Sequence, residues 1–239
     1  RLWQSWLSRF PEDRRFAADF VLPLKVYAKA DKPFLAPHLC DLLLHHYPHE
    51  QQLHSTIDRK TQASIKQTIT NYLQQNRSAG FRNASVLLLD SQNMQVRALI
   101  GSADYWSVDI QGQVNGTLKK RSPGSTLKPF IYALALDQGL LHPQTMLADT
   151  PASFGPYHPE NFDSRFLGPV SVQDALIRSR NIPALNTAAK LKNPSLYDFL
   201  KLAGVSGLKS ERYYGLSLAI GGGEVSMVEL AQLYALLPN

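Results

Sequence analysis

Two serine–lysine pairs in the sequence carry residue types that nucleophilic catalysis requires. The pattern Ser-x-x-Lys occurs at Ser125 with Lys128 and again at Ser206 with Lys209. A serine hydroxyl becomes a good nucleophile only when a nearby base takes its proton, and a lysine amine can be that base if burial and positive neighbours lower its pKa. The bare pattern is weak evidence, because two common residue types three apart also occur by chance in a chain of 239 residues.

The sequence around Ser125 favours the first pair. Ser125 follows a Pro-Gly pair and begins an apolar stretch that predicts a buried helix over residues 125–138. Residues three apart share one face of a helix, so the amine of Lys128 would reach the hydroxyl of Ser125, and backbone N–H groups at the helix start would face a developing oxyanion. An N-cap serine beside a surface lysine would show the same spacing. Ser206 falls in a glycine-bearing loop, and we interpret that copy as a coincidence.

A second pattern, Ser-x-Asn, also occurs twice. Ser91 and Asn93 fall in a predicted hairpin turn, where both residue types are common. Ser179 and Asn181 fall where one predicted helix stops and another starts, which could aim a hydroxyl and an amide into a cleft. Ordinary helix-end chemistry would explain the second copy equally well, so the motif alone leaves both interpretations open.

Hydrophobic patterning predicts the elements that would position these side chains. Residues 60–75 have the periodicity of an amphipathic helix. Residues 84–89 and 95–100 are two strand-like runs joined by a short polar turn, which indicates an antiparallel hairpin. The segment 171–174 has the form of a capping box at the start of a further helix.

The composition is that of a globular protein with a mild basic excess. Hydrophobic residues make up 44% of the chain and charged residues 18%, proportions that exclude a disordered chain. The formal net charge is +6. No basic run is interleaved with stacking aromatics, so nucleic-acid binding is not predicted. The single cysteine, Cys40, lies in an apolar run and is predicted to be buried and inert. The histidine-rich stretch 45–54 lacks the spacing of a zinc site and is interrupted by Pro48, so neither a metal nor another cofactor is predicted.

The segments around the motifs resemble bifunctional class A penicillin-binding proteins. The motif set of this family is Ser-x-x-Lys, Ser-x-Asn and Lys-Thr-Gly. The resemblance extends over roughly residues 33–239, and four stretches carry it: RSPGSTLKPFIYALALD at 121–137, YHPENFD at 157–163, SRNIPA at 179–184 and LAIGGGEV at 218–225. It implies an α+β fold with three layers, in which an antiparallel sheet is flanked by helices as in β-lactamases and transpeptidases.

The resemblance also implies a role for each motif residue. Ser125 would attack the carbonyl between the two terminal D-alanines of a peptidoglycan stem peptide, and Lys128 would accept the serine proton. Ser179 would relay a proton to the departing D-alanine, and Asn181 would hold the substrate amide. An amine of a neighbouring strand would then take the acyl group and form a cross-link, whereas β-lactams would acylate the same serine.

The third motif of the family is absent from the sequence. None of Lys-Thr-Gly, Lys-Ser-Gly and His-Thr-Gly occurs among the 239 residues. The resemblance implies that this motif lies on an edge strand after the segment 229–237, where it supplies the second oxyanion donor and binds the substrate carboxylate. We therefore expect a linker or flanking region at 1–50 and, at 51–239, a transpeptidase domain truncated at its C-terminus that catalyses poorly or not at all.

The resemblance further implies a setting for this domain. A glycosyltransferase domain and a membrane anchor would precede it, which predicts a location at the periplasmic face of the bacterial inner membrane. The expected partners are peptidoglycan stem peptides, β-lactam antibiotics and other cell-wall synthesis proteins, with no nucleic acid. Contact with the membrane is expected only through the upstream anchor.

Two alternative functions would use the same site. A D,D-carboxypeptidase or β-lactamase-like hydrolase would pass the acyl group to water, although nothing in the sequence resembles the separate carboxylate base of class A β-lactamases. A penicillin-binding scaffold would keep the acyl group without turnover. The product that leaves the serine distinguishes these functions from a transferase.

Overall fold

The predicted antiparallel hairpin is present in the computed structural model, which describes residues 2–19, 34–155 and 157–237. Strand β1, Val86–Leu89, pairs with β2, Val96–Ile100, and Val86 lies opposite Ile100. The carboxylate of Asp90 closes the turn between them, because it accepts hydrogen bonds from the backbone N–H of Gln92 and the side chain of Asn93. The first Ser-x-Asn copy is therefore a turn, as predicted.

The chain divides into two compact units, residues 1–35 and 36–239. The first contains helix α1, Leu2–Arg9, and a 3₁₀ segment, Pro11–Asp19. The boundary predicted at residue 50 separates a linker from a catalytic domain and stays a prediction, and residues 20–33 of that linker lie outside the described residues. Within the described part of the chain, no helix has the length and apolarity needed to cross a membrane.

The second unit combines helices with two small antiparallel sheets, which confirms the α+β class. Strand β3, Met146–Asp149, pairs with β4, Gly168–Ser171. The helices are α2 Pro37–His46, α3 Arg59–Gln75, α4 Lys128–Asp137, α5 Val172–Ile177, α6 Asn181–Ala188, α7 Leu196–Leu202, α8 Glu211–Tyr214 and α9 Met227–Ala235, with 3₁₀ turns at Arg77–Ala79, Gly124–Leu127 and Gly215–Ile220. Ser171 caps α5 by accepting from the backbone N–H of Asp174.

Helix α4 lies at the centre of the core. Phe130 and Ile131 are completely or almost completely buried, and they belong to one cluster with Leu185 of α6 and Leu200 of α7. A helix with apolar residues on every face has to be covered on every side, which accounts for the short helices around it. The only charged side chain on α4 that is buried with this cluster is that of Lys128, and its exposed fraction is 1%.

The outer edge of β2 is paired by helix α3 and the segment before it. The side-chain amide of Gln62 donates to the carbonyl of Leu99 and accepts from its N–H, both at 2.9 Å, as a neighbouring strand would. The hydroxyl of Thr56 donates to Val96 O, and the N–H of Asp58 donates to Arg97 O. These bonds satisfy backbone groups that an edge strand otherwise leaves unpaired.

Helix α2 corrects one prediction. Cys40 is exposed, although its apolar surroundings in the sequence predicted burial. The buried side chain is that of His38, whose Nε2 lies 2.8 Å from the carbonyl oxygen of Gly112. Two residues along a helix turn the side chain by about 200°, so burying His38 directs Cys40 outwards.

We expect Gln62→Leu to lower the free energy of unfolding by about 2–4 kcal/mol, because it leaves the buried N–H and C=O of Leu99 without partners. Gln67→Leu is the matched control: it makes the same substitution on the exposed face of α3 and should change stability by less than about 0.5 kcal/mol. Urea unfolding followed by circular dichroism measures both. Equal effects of the two variants would contradict the pairing role of Gln62.

Candidate active site

Ser125 lies in the 3₁₀ turn Gly124–Leu127, which leads directly into α4. The helix predicted from residue 125 therefore begins with a tighter turn, in which residues three apart nearly eclipse one another. Gly124 has φ +56°, a conformation that favours glycine. The Ser125 side chain is exposed and makes no hydrogen bond within the described residues.

The loop at 221–225 holds this turn through main-chain contacts. The backbone of Arg121 exchanges two hydrogen bonds with that of Val225, at 3.0 and 2.9 Å, and the hydroxyl of Ser122 donates to Gly221 O. Gly221 packs so closely that a Cβ atom on it would lie 2.5 Å from the nitrogen of Gly124. The position of Ser125 is thus fixed by backbone packing.

The amine of Lys128 is buried and surrounded by three acceptors. Its Nζ donates to the carbonyl oxygen of Ser179 at 2.6 Å, to Ser179 Oγ at 3.1 Å and to Asn181 Oδ1 at 2.7 Å. The structure therefore brings Lys128, Ser179 and Asn181 together. The expected contact with Ser125 is not formed here, because the amine is directed at the Ser-x-Asn segment.

The surroundings of Lys128 make its amine a better base than an ordinary lysine. Burial, with the nearby positive charge of Arg180 adding to it, lowers the pKa of Lys128 to about 8. At pH 7.5 that pKa leaves roughly a quarter of the amine neutral, compared with roughly one part in a thousand for an unperturbed lysine. The amine can therefore take up a proton near neutral pH.

Ser179 adopts an unusual backbone conformation at the junction of α5 and α6. Its φ is +52°, which residues other than glycine rarely adopt and which is often found at functional sites. This conformation allows the chain to turn between the two helices and directs both the carbonyl and the hydroxyl of Ser179 to Lys128. The prediction that the motif lies between two helices is confirmed.

Asn181 uses both ends of its side-chain amide within the protein. Its Oδ1 accepts from Lys128, and its Nδ2 donates to the carbonyl of Glu160 at 2.7 Å. Its backbone N–H, the first of α6, donates to Asn161 Oδ1 at 2.7 Å. A substrate amide could use the second hydrogen of Nδ2 or the second lone pair of Oδ1.

An ion network that the sequence analysis missed lies behind the motif. Arg180 donates from Nε to Asp149 Oδ2 at 2.7 Å, from Nη1 to both oxygens of Asp163, and from Nη2 to Arg165 O. Asp149 is completely buried and also accepts from Asn161 Nδ2. The bonds from Arg180 hold the pKa of Asp163 below its usual range. Two features of the sequence could have indicated this network: Arg180 is the middle residue of the Ser-x-Asn motif, and Asp163 ends the segment 157–163 that resembles the same family.

A cavity of about 470 Å³ opens above these groups. It is lined by Gly124, Ser125, Phe162, Asp163, Arg178, Ser179, Arg180, Asn181 and Ile220. An exposed serine hydroxyl, a buried amine of lowered pKa and a second hydroxyl in contact with that amine form a set that can carry out nucleophilic acyl transfer. Of these three groups, the hydroxyl of Ser125 is the one with no hydrogen-bond partner among the described residues, so it is free to contact a ligand in the cavity.

In the second Ser-x-x-Lys copy, the serine and the lysine each contact a different residue. The hydroxyl of Ser206 donates to Glu229 Oε1 at 2.8 Å, and the amine of Lys209 lies 3.9 Å from the ring centre of Tyr213. Serine and lysine therefore have separate partners, and the interpretation of this copy as a coincidence agrees with the structure.

Comparison with known proteins identifies relatives of this chain. Residues 84–239 match the family model of the penicillin binding protein transpeptidase domain. Penicillin-binding protein 1C of Escherichia coli (strain K12) is 34% identical over 216 residues, which cover 87% of this chain and 27% of that protein. Penicillin-binding protein 1F of Bacillus subtilis (strain 168) is 35% identical over 150 residues, 62% of this chain and 20% of that protein. The chain thus spans about a fifth to a quarter of the length of these relatives, and the resemblance to class A penicillin-binding proteins, including penicillin-binding protein 1C, is confirmed.

Two solved structures superpose on this chain. Penicillin-binding protein 1A from Haemophilus influenzae superposes with a TM-score of 0.56 and 29% identity, over 64% of this chain and 23% of that one. PonA1 from Mycobacterium tuberculosis, solved in complex with penicillin V, superposes with a TM-score of 0.66 and 19% identity, over 83% of this chain and 56% of that one. At that identity the second likeness shows the fold alone.

We expect Gly221→Ala to lower the free energy of unfolding by at least about 3 kcal/mol, because the new Cβ meets the backbone of Gly124 and φ is +99°. Gly204→Ala is the control: φ is +87° there, but a Cβ meets nothing within 4 Å, so the cost should be about 1–2 kcal/mol. Denaturant unfolding measures both. A Gly221 variant no less stable than the Gly204 variant would refute the close main-chain packing.

Proposed function

The chain belongs to the transpeptidase-domain family of class A penicillin-binding proteins, and from this premise we propose that it is a serine D,D-acyltransferase. Ser125 attacks the carbonyl between the terminal D-alanines of a peptidoglycan stem peptide, and the acyl group is passed to an amine of a neighbouring strand. β-Lactams acylate the same serine. The observation that carries the proposal is the buried amine of Lys128, held by Ser179 and Asn181 one turn from Ser125.

The hydrogen bonds of Lys128 constrain how its proton moves. A neutral amine has one lone pair, which needs a donor. The carbonyl of Ser179 and the Oδ1 of Asn181 are acceptors only, so the protein groups that can donate to it are the hydroxyl in contact with the amine, Ser179 Oγ, and the hydroxyl one turn away, Ser125 Oγ. Rotation of the Ser125 hydroxyl towards the amine would transfer the serine proton to Lys128 as the Ser125 oxygen attacks the carbonyl carbon.

The same arrangement provides a path for the proton to the leaving group. The hydroxyl of Ser179 lies 3.1 Å from the amine of Lys128 and faces the cavity that Ser125 also lines. It can donate its own proton to the departing amine of D-alanine while it accepts one from the lysine. The backbone N–H of Ser125, at the start of the turn, would supply one oxyanion donor.

The peptidoglycan substrate determines where the domain would act. Stem peptides lie outside the cytoplasmic membrane, so the proposal places the domain at the periplasmic face, with cell-wall synthesis proteins as partners. Arg180 supports the site from behind: its ion pairs with Asp149 and Asp163 hold the Ser-x-Asn segment, and its positive charge helps to lower the pKa of Lys128.

Incubation with benzylpenicillin should add the mass of one antibiotic molecule to the chain, at Ser125. Ser125→Ala should remove the adduct, whereas Ser206→Ala, the matched change in the other Ser-x-x-Lys pair, should retain it. Intact-mass spectrometry followed by peptide mapping makes the measurement. An adduct that survives Ser125→Ala would refute the proposal, and so would a chain that stays unmodified at saturating antibiotic even when it is fused to a segment that supplies the Lys-Thr-Gly strand.

The lifetime of the adduct and its products distinguish the fates of the acyl group. A transferase should give a cross-linked product when a donor peptide and an amine acceptor are both present. Rapid loss of the adduct to water would instead indicate a hydrolase, and an adduct without any product would indicate a penicillin-binding scaffold. Liquid chromatography of the peptide products, together with intact-mass measurement of the adduct over time, distinguishes all three.

The rate of acylation should rise with pH and reach half of its plateau near pH 8, since the pKa of Lys128 is lowered to about 8. Below that pH the amine carries a proton and cannot act as base, so the rate should fall by about tenfold per pH unit. Labelling by a fluorescent penicillin between pH 6 and 9.5 measures the profile, with hydrolysis of the free antibiotic as the control. Lys128→Met should abolish labelling at every pH, and a flat profile in the parent chain would contradict Lys128 as the base.

A further inference from the structure

Two arginines flank Ser179, and their surroundings differ. Arg180 is buried and binds two carboxylates and a carbonyl. Arg178 ends α5 as its C-cap and is exposed, and its guanidinium makes no hydrogen bond or ion pair with any of the described residues. Both line the cavity that contains Ser125. Arg180 therefore uses its guanidinium for hydrogen bonds within the protein, whereas the guanidinium of Arg178 is available to bind a ligand.

The charge of the cavity wall points to the sign of that ligand. Among the described residues that line the cavity, the charged ones are Asp163, Arg178 and Arg180. Asp163 and Arg180 bind each other, at 3.0 Å. Arg178 is left without an ion pair on the wall of the cavity that Ser125 also lines, and a guanidinium matches the planar shape of a carboxylate better than any other side chain does.

An aromatic ring on the same wall adds an apolar surface. The side chain of Phe162 is completely exposed, at 104% of the reference area. Phenylalanine is among the residue types that are most often buried, and this exposed one lies at the cavity that Ser125 also lines. A ligand with an apolar group next to a carboxylate could contact both Phe162 and Arg178.

We propose, resting on the acyltransferase function above, that Arg178 selects acyl donors that carry a carboxylate on the acyl side of the reacting carbonyl. Stem peptides offer this group wherever an acidic residue keeps a free carboxylate. Phe162 provides apolar contact to the same part of the donor. Arg178 also lies at the C-terminus of α5, where a cation stabilises the helix, so its effect on binding has to be measured apart from its effect on the fold.

Three penicillins that differ in one substituent test the proposal. α-Carboxybenzylpenicillin, benzylpenicillin and α-aminobenzylpenicillin share the phenyl ring and carry a negative, no and a positive charge on the acyl side chain. Their equilibrium binding is measured in the Ser125→Ala chain, which cannot be acylated, by calorimetry or by NMR titration. The parent should prefer the carboxylated compound, and Arg178→Gln should reduce its preference over the aminated one by about three- to tenfold.

Matched variants distinguish a direct contact of Arg178 from a general effect of charge. Arg178→Lys keeps the charge and should retain part of the preference. Arg165→Gln removes an exposed arginine of the neighbouring loop that does not line the cavity, and it should leave the preference unchanged within about twofold. Phe162→Ala should weaken the binding of all three compounds by a similar factor, because Phe162 would contact the phenyl ring that they share.

The outcomes separate this proposal from the acyltransferase function. No charge preference in the parent, an unchanged preference in Arg178→Gln, or an equal loss in Arg165→Gln would each overturn the role of Arg178. The adduct at Ser125 is measured independently in the chain that retains its serine. Acylation without charge preference would leave the acyltransferase function standing, and charge preference without acylation would leave Arg178 as part of a binding site only.

Discussion

Burial of the Lys128 amine is the constraint on which the rest of the site depends. A buried charge without partners costs several kcal/mol, so the surrounding chain has to supply acceptors. Ser179 supplies two of them, but only by adopting a left-handed backbone conformation, and Asn181 supplies the third from the first position of α6. The break between α5 and α6 therefore lies at the position from which Ser179 and Asn181 can accept the hydrogen bonds of the Lys128 amine.

The distribution of carboxylates around the site explains why the pKa of Lys128 falls. Asp149 and Asp163 bind Arg180, and the acceptors around the lysine are neutral oxygens. A carboxylate in contact with the amine would raise its pKa, whereas burial and the adjacent guanidinium lower it. Pairing the carboxylates with the arginine therefore joins the junction of α5 and α6 to β3 and leaves only neutral acceptors in contact with the lysine amine. Strand β3 contributes to this because it ends at the buried Asp149.

The sequence predicted what local patterns determine and missed what distant segments build together. Helix α3, the β1–β2 hairpin and the break before Asn181 follow from periodicity and turn residues within a few positions. The pairing of Arg180 with Asp149 joins segments 31 residues apart, and that of Gln62 with Leu99 joins segments 37 apart, so neither leaves a local pattern. Cys40 was misplaced for a related reason: an apolar run does not show which helix face the core will cover.

Two residues in the left-handed region position the reacting groups, and they meet this requirement in different ways. Gly124, which precedes the proposed nucleophile, adopts φ +56° without strain because it has no Cβ. Ser179 adopts φ +52° with a Cβ, at a cost of about 1–3 kcal/mol. Glycine at that position would relieve the strain but remove the hydroxyl that contacts Lys128. A serine at a position where the backbone favours glycine therefore supplies an oxygen to the buried amine, which the proposed proton transfer through Ser179 requires.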